Sequence, residues 1–345
     1  MRVLHRDLKT GEIRLRVENA DDLWHLHNLV VPGDHVRGST YRREESKADK
    51  IRPERTEKVR VTLTLRIESA EFQAFSDRLR LGGVIVEGPQ DLGHHHTLNV
   101  AVDDVVTIRK ERWKPHELRR IDEAVAAAQK PKITFLALDD EEALVAQLRQ
   151  YGIQALATIR APGHGKMYAT GDARAIFFDE IRGVLRTTEL GERLVIVGPG
   201  FTRDEFAGFL REREPGLAGK VHIHGTSYAG MRGIQEALRS GVGTKVFEES
   251  RVALETGLVE RLLEAIAMQR PCAYGRAEVA EAVDAGAVET LLAVDAHVRD
   301  PLVEDLLHRT EAARGNVVLI SRHHEAGEKL EALGGIAALL RYAIK

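Results

Sequence analysis

The sequence predicts a multidomain α/β protein with a β-barrel at its start, and three observations predict it. Val59, Val61, Leu63, Leu65 and Ile67 alternate with Arg60, Thr62, Thr64 and Arg66, which gives a strand one apolar and one polar face. From Ile133 onward, short apolar runs alternate with segments of helical spacing, the pattern of layered α/β units. The composition also changes at Pro131, where a helical connector stops. A chain of 345 residues, 43% of them hydrophobic, can build two or three cores rather than one.

In the first part, Ile13, Leu15 and Val17 repeat the period of two, as do Leu98, Val100 and Val102. Asn19 is placed to cap a helix whose stripe is Leu23, Leu26, Leu29 and Val30. Several short strands with one early helix predict a small barrel. Pro115 suits a first helical turn, and Leu118, Ile121, Val125 and Ala128 recur at steps of three and four up to Pro131.

In the middle, Ile133–Leu138 reads as an apolar strand and Glu141–Gln150 as a helix ended by Gly152. Ile153–Ile159, Leu194–Val197 and Val221–His224 read as strands, and Thr202-Arg203-Asp204-Glu205 as a capping box opening a helix. Residues 245–270 read as a long amphipathic helix with Leu254, Leu258, Leu262 and Ile266 in its stripe. Ala277–Ala285, Thr290–Val294, Pro301–Ala313, Val317–Ile320, Ala326–Leu333 and Ile336–Tyr342 then alternate as a further α/β unit. The expected domains are 1–130, 131–250 and 251–345.

Charge and cysteine narrow the function classes. The net charge is −3, but residues 1–120 hold 23 Lys+Arg against 20 Asp+Glu while the remainder holds 27 against 33. The polyanion-facing end is therefore expected first. The single Cys272 excludes an intramolecular disulfide and a Cys-based zinc site, and fits a reducing cytoplasm. Arg2, His5, Arg6 and Asp7 interrupt any signal core, and no apolar run approaches ~18 residues, so no membrane partner is expected.

The last third carries Tyr274-Gly275-Arg276-Ala277-Glu278-Val279, then Gly286-Ala287-Val288-Glu289-Thr290-Leu291-Leu292, then Ile320-Ser321-Arg322-His323-His324-Glu325. Earlier come Leu8-Lys9-Thr10-Gly11, Asp21-Asp22-Leu23-Trp24, Leu29-Val30-Val31-Pro32-Gly33-Asp34 and Val197-Gly198-Pro199-Gly200-Phe201. In this order and spacing, over essentially the whole chain, these blocks resemble the Pelota family, paralogues of the class I release factors. The archaeal branch fits best, because the chain closes at Lys345 without an acidic tail. The resemblance implies an Sm-like N-terminal barrel, a central α/β domain like that of release factors, and a C-terminal L30e-like α/β domain. No Gly-Gly-Gln occurs: Gly82-Gly83 precedes Val84, and Gly334-Gly335 precedes Ile336. Release factors bring water to peptidyl-tRNA with that tripeptide, so the chain is expected to enter a ribosome without hydrolysing the ester.

Four groups of residues are candidate sites. The arm from Arg37 to Arg60 holds Arg37, Arg42, Arg43 and Lys47 with Tyr41 between them; cations neutralise phosphates and an aromatic stacks on an unpaired base. Five acids dilute the arm, and a solvated hairpin suits it equally. The resemblance implies RNA contact in the decoding site and mRNA channel. Pro199, Gly200 and Phe201 lie between a strand and a helix, where an ordinary βα turn would also serve; the resemblance makes them a contact for a translational GTPase of the elongation factor 1-alpha type.

Arg160-Ala161-Pro162-Gly163-His164-Gly165-Lys166 mimics a nucleotide loop. It puts Arg160 where that motif needs glycine and Met167 where it needs Ser or Thr. Lys166 is instead a candidate GTPase or tRNA contact. Tyr274, Gly275 and Glu278 are candidates, by resemblance, for contact with an ABC-type ribosome-recycling ATPase. His94-His95-His96 and the pair His222 and His224 lack the partners of a defined metal site and read as a polar loop and a strand face, and His323-His324-Glu325 reads as an ordinary helix start.

The leading expectation is a monomeric ribosome-rescue factor that enters the A site and promotes subunit dissociation and turnover of the stalled mRNA. The alternative is an endoribonuclease in the N-terminal domain. It would use a divalent metal cation held by paired carboxylates, for which Asp21 and Asp22 are the nearest candidates, followed by Asp103 and Asp104. Asp21 and Asp22 suit a helix N-terminus equally. A peptide-releasing factor conflicts with the missing tripeptide, and a free-standing RNA-binding module leaves two domains without purpose.

Overall fold

Strand alternation over the first 110 residues builds one antiparallel sheet from β1 (Arg2–Asp7), β2 (Glu12–Arg16), β3 (His35–Arg43), β4 (Lys58–Gln73), β5 (Arg78–Glu87), β6 (His95–Val100) and β7 (Val105–Arg109). The strand order is β1-β2-β7-β3-β4-β5-β6. The computed structural model describes residues 1–43, 58–73, 76–128, 132–162, 170–240 and 251–344. They form two compact units, one of Met1–Gln129 with Val298–Val317, the other of Lys130–His297 with Val318–Lys345.

In the first unit, β4 serves two partners. Lys58–Arg66 pairs with β3 and Thr64–Gln73 with β5, with register shifts at Thr64/Leu65 and Ile67/Ser69. Such bulges bend a strand and increase its twist, which curls the sheet. The curl brings β6 back to β3, where His96 Nε2 lies 3.3 Å from Thr40 Oγ1. Ile13, Leu15, Val36, Leu63, Leu65, Leu98, Val106 and Ile108 fill the interior with Leu23, Leu26 and Leu29. Those leucines come from α1 (Ala20–Leu29), whose capping box is formed: Asn19 Oδ1 accepts the Asp22 N–H at 3.1 Å, and Asp22 Oδ2 accepts the Asn19 N–H at 3.2 Å. α2 (Pro115–Ala127) begins with its proline at the first helical position. Its Arg119 donates to Glu311 at 2.8 Å, and Arg299 donates to the His27 carbonyl at 2.7 Å, which ties residues 298–317 to this unit.

In the second unit, β8 (Ile133–Leu138), β9 (Glu142–Arg149), β10 (Gly152–Arg160), β11 (Arg193–Gly198) and β12 (Val221–Gly225) form a sheet ordered β10-β9-β8-β11-β12. β8, β11 and β12 are parallel; β9 and β10 are antiparallel additions. The helix α3 (Thr170–Thr187) lies between β10 and β11, α4 (Thr202–Arg213) and α5 (Pro215–Ala218) between β11 and β12, and α6 (Gly230–Arg239) after β12. Phe177, Phe178, Ile181, Leu185, Phe206 and Leu210 fill one core, and Phe135, Val195, Val197, Ile234 and Ala237 a second.

Two expectations are corrected here. Glu141–Gln150 is not a helix but β9. The Asp139 carboxylate accepts the N–H groups of Glu141 at 2.8 Å and Glu142 at 2.9 Å, and this turn folds the chain back as a hairpin. β9 lies between β8 and β10 with Ala143 through Gln147 all buried, so its apolar run could not show a period of two. The Thr202 capping box does not form either. Phe201 is the N-cap, and the Thr202 hydroxyl donates to Asp140 while accepting from Arg174 at 2.8 Å.

The remaining elements are α7 (Arg251–Ala267), β13 (Cys272–Tyr274), α8 (Arg276–Asp284), β14 (Val288–Val294), α9 (Pro301–Ala312), β15 (Asn316–Ile320), α10 (Glu325–Ala332) and β16 (Ile336–Leu340), with a sheet ordered β13-β16-β14-β15. Residues 245–250 of the expected long helix lie outside the described residues. The buried stripe of α7 is Val252, Glu255, Val259, Leu262 and Ala265. Leu254, expected in that stripe, is 59% exposed.

Phe206 is fully buried, edge-on to Phe178 at 5.1 Å. Phe206→Ala should cost about 3–5 kcal/mol. Phe201→Ala, at an exposed ring, should change stability by less than about 0.5 kcal/mol. Urea unfolding of both variants reads the contrast, and equal losses would contradict the packing described.

Candidate functional site

The Pro199–Phe201 loop is built so that its backbone is held and its ring is presented. Gly198 ends β11 at φ 155°, where an added Cβ would lie 2.0 Å from the Leu138 carbonyl oxygen. Gly200 sits at φ 64°, the left-handed region that glycine enters without strain. Arg203 Nη1 donates to the Gly198 and Gly200 carbonyls, both at 2.7 Å. Arg174 Nε lies 2.9 Å from Glu205 in an ion pair, and its Nη2 donates to Asp140 at 3.2 Å, beside the Thr202 hydroxyl. Phe201 is left 79% exposed at the head of α4. An aromatic ring held open to water on a fixed loop has the character of an interface anchor.

A second aromatic stands on the adjoining loop. The Thr226 N–H donates to the Gly198 carbonyl at 3.2 Å, so the loop after β12 starts beside the one after β11. There Tyr228 is 57% exposed, and the Thr226 hydroxyl donates to its carbonyl at 2.7 Å. Ser227, Tyr228, Arg232, Gln235, Glu236, Arg239 and Ser240 line a shallow groove along α6. Sequence reasoning missed Tyr228; Thr226-Ser227-Tyr228-Ala229-Gly230 between a strand and a helix was the available signal. Lys166 lies outside the described residues, and Arg160 is the last residue of β10.

In the first unit, Arg37 is exposed on β3 and Tyr41 is 66% exposed, opposite Arg60. Arg42 and Arg43 close the same strand, paired with Val59 and Lys58. Lys47 lies outside the described residues. The carboxylates separate into different tasks. Asp22 is buried; its Oδ2 accepts the N–H groups of Glu18 at 2.7 Å and Asn19 at 3.2 Å and lies 2.7 Å from the Met1 ammonium. Burial raises its affinity for a proton, and the ammonium and the two N–H groups pull partly back. It has the position of a capping carboxylate rather than an open metal ligand. Asp103 pairs with Arg16 at 2.9 Å, and Asp104 accepts the Ala101 N–H at 2.9 Å. Among the described residues no three His, Cys, Asp or Glu side chains converge as a metal site would need. His95 lies 3.2 Å from Glu68, His222 lies 3.4 Å from Arg193, and His224 lies 3.0 Å from Ser240.

Tyr274 is 41% exposed at the end of β13, and Gly275 follows at φ 74° as the N-cap of α8. Glu278 accepts the Tyr274 N–H at 3.2 Å, so the three candidates form one local turn.

The strongest polar cluster was read only as a bland helix start. His324 lies buried with Nε2 2.7 Å from Glu255 Oε2. Glu255 also accepts from Arg251 Nε at 2.6 Å and from the Ser321 N–H at 2.8 Å. The Ser321 hydroxyl donates to the Tyr151 carbonyl at 2.6 Å, which joins this cluster to the β9–β10 turn. Burial alone would push the Glu255 carboxyl up; Arg251, His324 and the Ser321 N–H outweigh it and hold the group below its ordinary value.

Two family descriptions match the chain: Pelota N-terminal domain over residues 1–125 and eRF1 domain 3 over residues 252–344. A protein pelota homolog of Pyrococcus abyssi is 41% identical over 355 residues, covering 100% of both chains. The crystal structure of Thermoplasma acidophilum Pelota matches with a TM-score of 0.79 at 28% identity, over 100% of both chains. S. cerevisiae Dom34, a translation termination-like factor involved in RNA quality control pathways and interacting with Hbs1, shares the fold at a TM-score of 0.54 and 20% identity, covering 100% of this chain and 99% of that one. The resemblance read from the sequence blocks and the mixed, multidomain α/β fold class are borne out by these matches.

Because Glu255 is held below its ordinary value near 4.5, it contributes stability above that pH and loses it as the pH falls through the lowered value. Glu255→Gln should therefore cost about 3 kcal/mol at neutral pH, by leaving Arg251 uncompensated. It should also flatten the acid limb of the stability profile. Denaturant titrations from neutral to acid pH check this; an unchanged acid limb would remove Glu255 from the account.

Proposed function

The chain belongs to the Pelota family, and from that premise we propose that it rescues stalled ribosomes without itself breaking the peptidyl ester. It enters the A site with a translational GTPase of the elongation factor 1-alpha type. With an ABC-type ribosome-recycling ATPase it then promotes subunit dissociation and turnover of the stalled mRNA. It works as a monomer in the cytoplasm.

Residues 1–130 face the decoding site and mRNA, with contact through Arg37, Arg42, Arg43 and Lys47. Residues 131–250 dock the GTPase through Pro199, Gly200 and Phe201 and through Lys166. Residues 251–345 meet the ATPase through Tyr274, Gly275 and Glu278. The observation that carries this reading is Phe201, 79% exposed on a loop whose backbone Arg203 holds by two bonds. A ring placed so cannot lower the energy of this chain by its own burial, and a partner that covers it gains that free energy instead. The interaction of the yeast Dom34 with Hbs1 supports a GTPase as that partner. The lack of Gly-Gly-Gln supports rescue over peptide release.

Phe201→Ala should weaken binding to the partner GTPase by about 2 kcal/mol, roughly thirtyfold, with the melting temperature unchanged. In a splitting assay on stalled ribosomes, the wild-type chain with GTPase and ATPase should separate subunits and leave peptidyl-tRNA intact. Release of free peptide, or no factor-dependent splitting, would overturn the proposal.

A further inference from the structure

The polar face of the first sheet carries cations in cross-strand register. Arg14 on β2 sits opposite Thr107 on β7, which sits opposite Arg37 on β3, which sits opposite Thr64 on β4. One row along, Arg109 on β7 faces His35 on β3, and His35 faces Arg66 on β4. Farther along β3 and β4, Tyr41 faces Arg60. Arg14, Arg37, Arg60, Arg66 and Arg109 are all exposed, while Ile13, Leu15, Val36, Leu65 and Ile108 between them are buried. The alternation that builds the core thus sorts these arginines onto one surface.

Strand spacing sets the scale. Arg14 and Arg37 are two strands apart, about 10 Å, and His35 to Tyr41 spans about 20 Å along β3. Two carboxylates interrupt the face. Glu12 stands opposite Arg109 in the β2–β7 register. Glu87 accepts from Thr64 at 2.9 Å and lies 3.4 Å from Arg109. Arg14 and Arg66 make no ion pair among the described residues.

We propose that this sheet face is a track for single-stranded RNA, with Arg14, Arg37, Arg66 and Arg109 on backbone phosphates and Tyr41 stacked on a base. The proposal rests on the reading of the first domain as RNA-facing and extends it from the β3–β4 arm to the sheet itself. Arginines at intervals of about 10 Å on a rigid sheet match a polyanion, and an exposed tyrosine among them offers the π-face that every base can use. An acidic protein surface would use the cations but not the isolated ring. Glu87 occupies Arg109 in the free protein and is displaced from it by a phosphate.

Fluorescence anisotropy of labelled oligouridine with the full chain, across a salt series, tests this. In Arg14→Ala/Arg66→Ala the slope of log K against log salt should fall by about 1.4, the value for two lost single-strand phosphate contacts. Arg14→Lys/Arg66→Lys should keep most of the slope, because the charges remain. Glu87→Gln should strengthen binding, and Tyr41→Ala should weaken oligouridine but not inorganic polyphosphate. An unchanged slope in the alanine variant would overturn the proposal. An equal loss of binding to oligouridine and to polyglutamate, with no Tyr41 effect, would assign the face to an acidic protein instead. Failure here with subunit splitting intact sinks only the track; a wild-type chain that binds oligouridine through Arg14 and Arg66 yet never engages ribosomes sinks the rescue reading and leaves the track.

Discussion

A buried carboxylate must be matched or it destabilises the fold around it, and Glu255 is the point on which the second unit turns. Its two oxygens receive Arg251, the Ser321 N–H and His324, and each partner belongs to a different local feature: the start of α7, the end of β15 and the head of α10. Ser321 then reaches the Tyr151 carbonyl, and the backbone there is tight enough that a Cβ on Gly152 would lie 2.4 Å from the His323 carbonyl oxygen. Apolar contacts are non-directional and could tolerate a sliding fit at such a joint. A hydrogen-bonded buried ion cannot, because each lost bond strands a charge. The first unit uses the same device on a smaller scale, where the buried Lys110 lies 2.6 Å from Asp34 and 2.9 Å from Glu117 and ties the end of β7 to α2.

With the frames fixed in this way, the candidate sites can be held open. Phe201 and Tyr228 project from neighbouring loops whose carbonyls are already occupied by Arg203 and by the Thr226 hydroxyl. Little conformational freedom remains for a partner to remove, so more of the buried area becomes affinity. The two units also differ in the physics they offer a partner. The sheet face of the first is an array of charges, strong at a distance and weakened by salt. The loops of the second offer aromatic rings, short-ranged and insensitive to salt.

How much of this was legible in the sequence follows from which forces write into sequence. The period of two along β4 and the Asn19 and Pro115 signals are local; the structure keeps both helix signals, and keeps the period at Leu63, Leu65 and Ile67 while Val59 is exposed and Thr64 buried. β9 was misread because its burial on both faces erases the alternation, and Leu144 and Leu148 then fall at a helical spacing by accident. The Thr202 cap was misread because a partner 62 positions away, Asp140, takes the hydroxyl that a local rule assigns to the helix. His324 was passed over for the same reason: its partner is 69 positions away in sequence, and nothing near it marks it as buried. Tyr228 matters only because β11 and β12 run in parallel and bring its loop beside Phe201, which is a fact of topology rather than of spacing.

That division bears on what kind of molecule this is. The buried carboxyls that are perturbed have separate structural counterparts: Asp22 caps α1, Asp34 meets Lys110, and Glu255 anchors α7; Asp7 and Glu87 are also shifted, each by hydrogen bonds it accepts. The exposed candidate sites are made of arginines and aromatic rings. Charge is thus buried where it fixes the frame and exposed on the face of the first sheet. Under the proposed reading, the salt-sensitive face would engage a partner at long range and the rings only at contact.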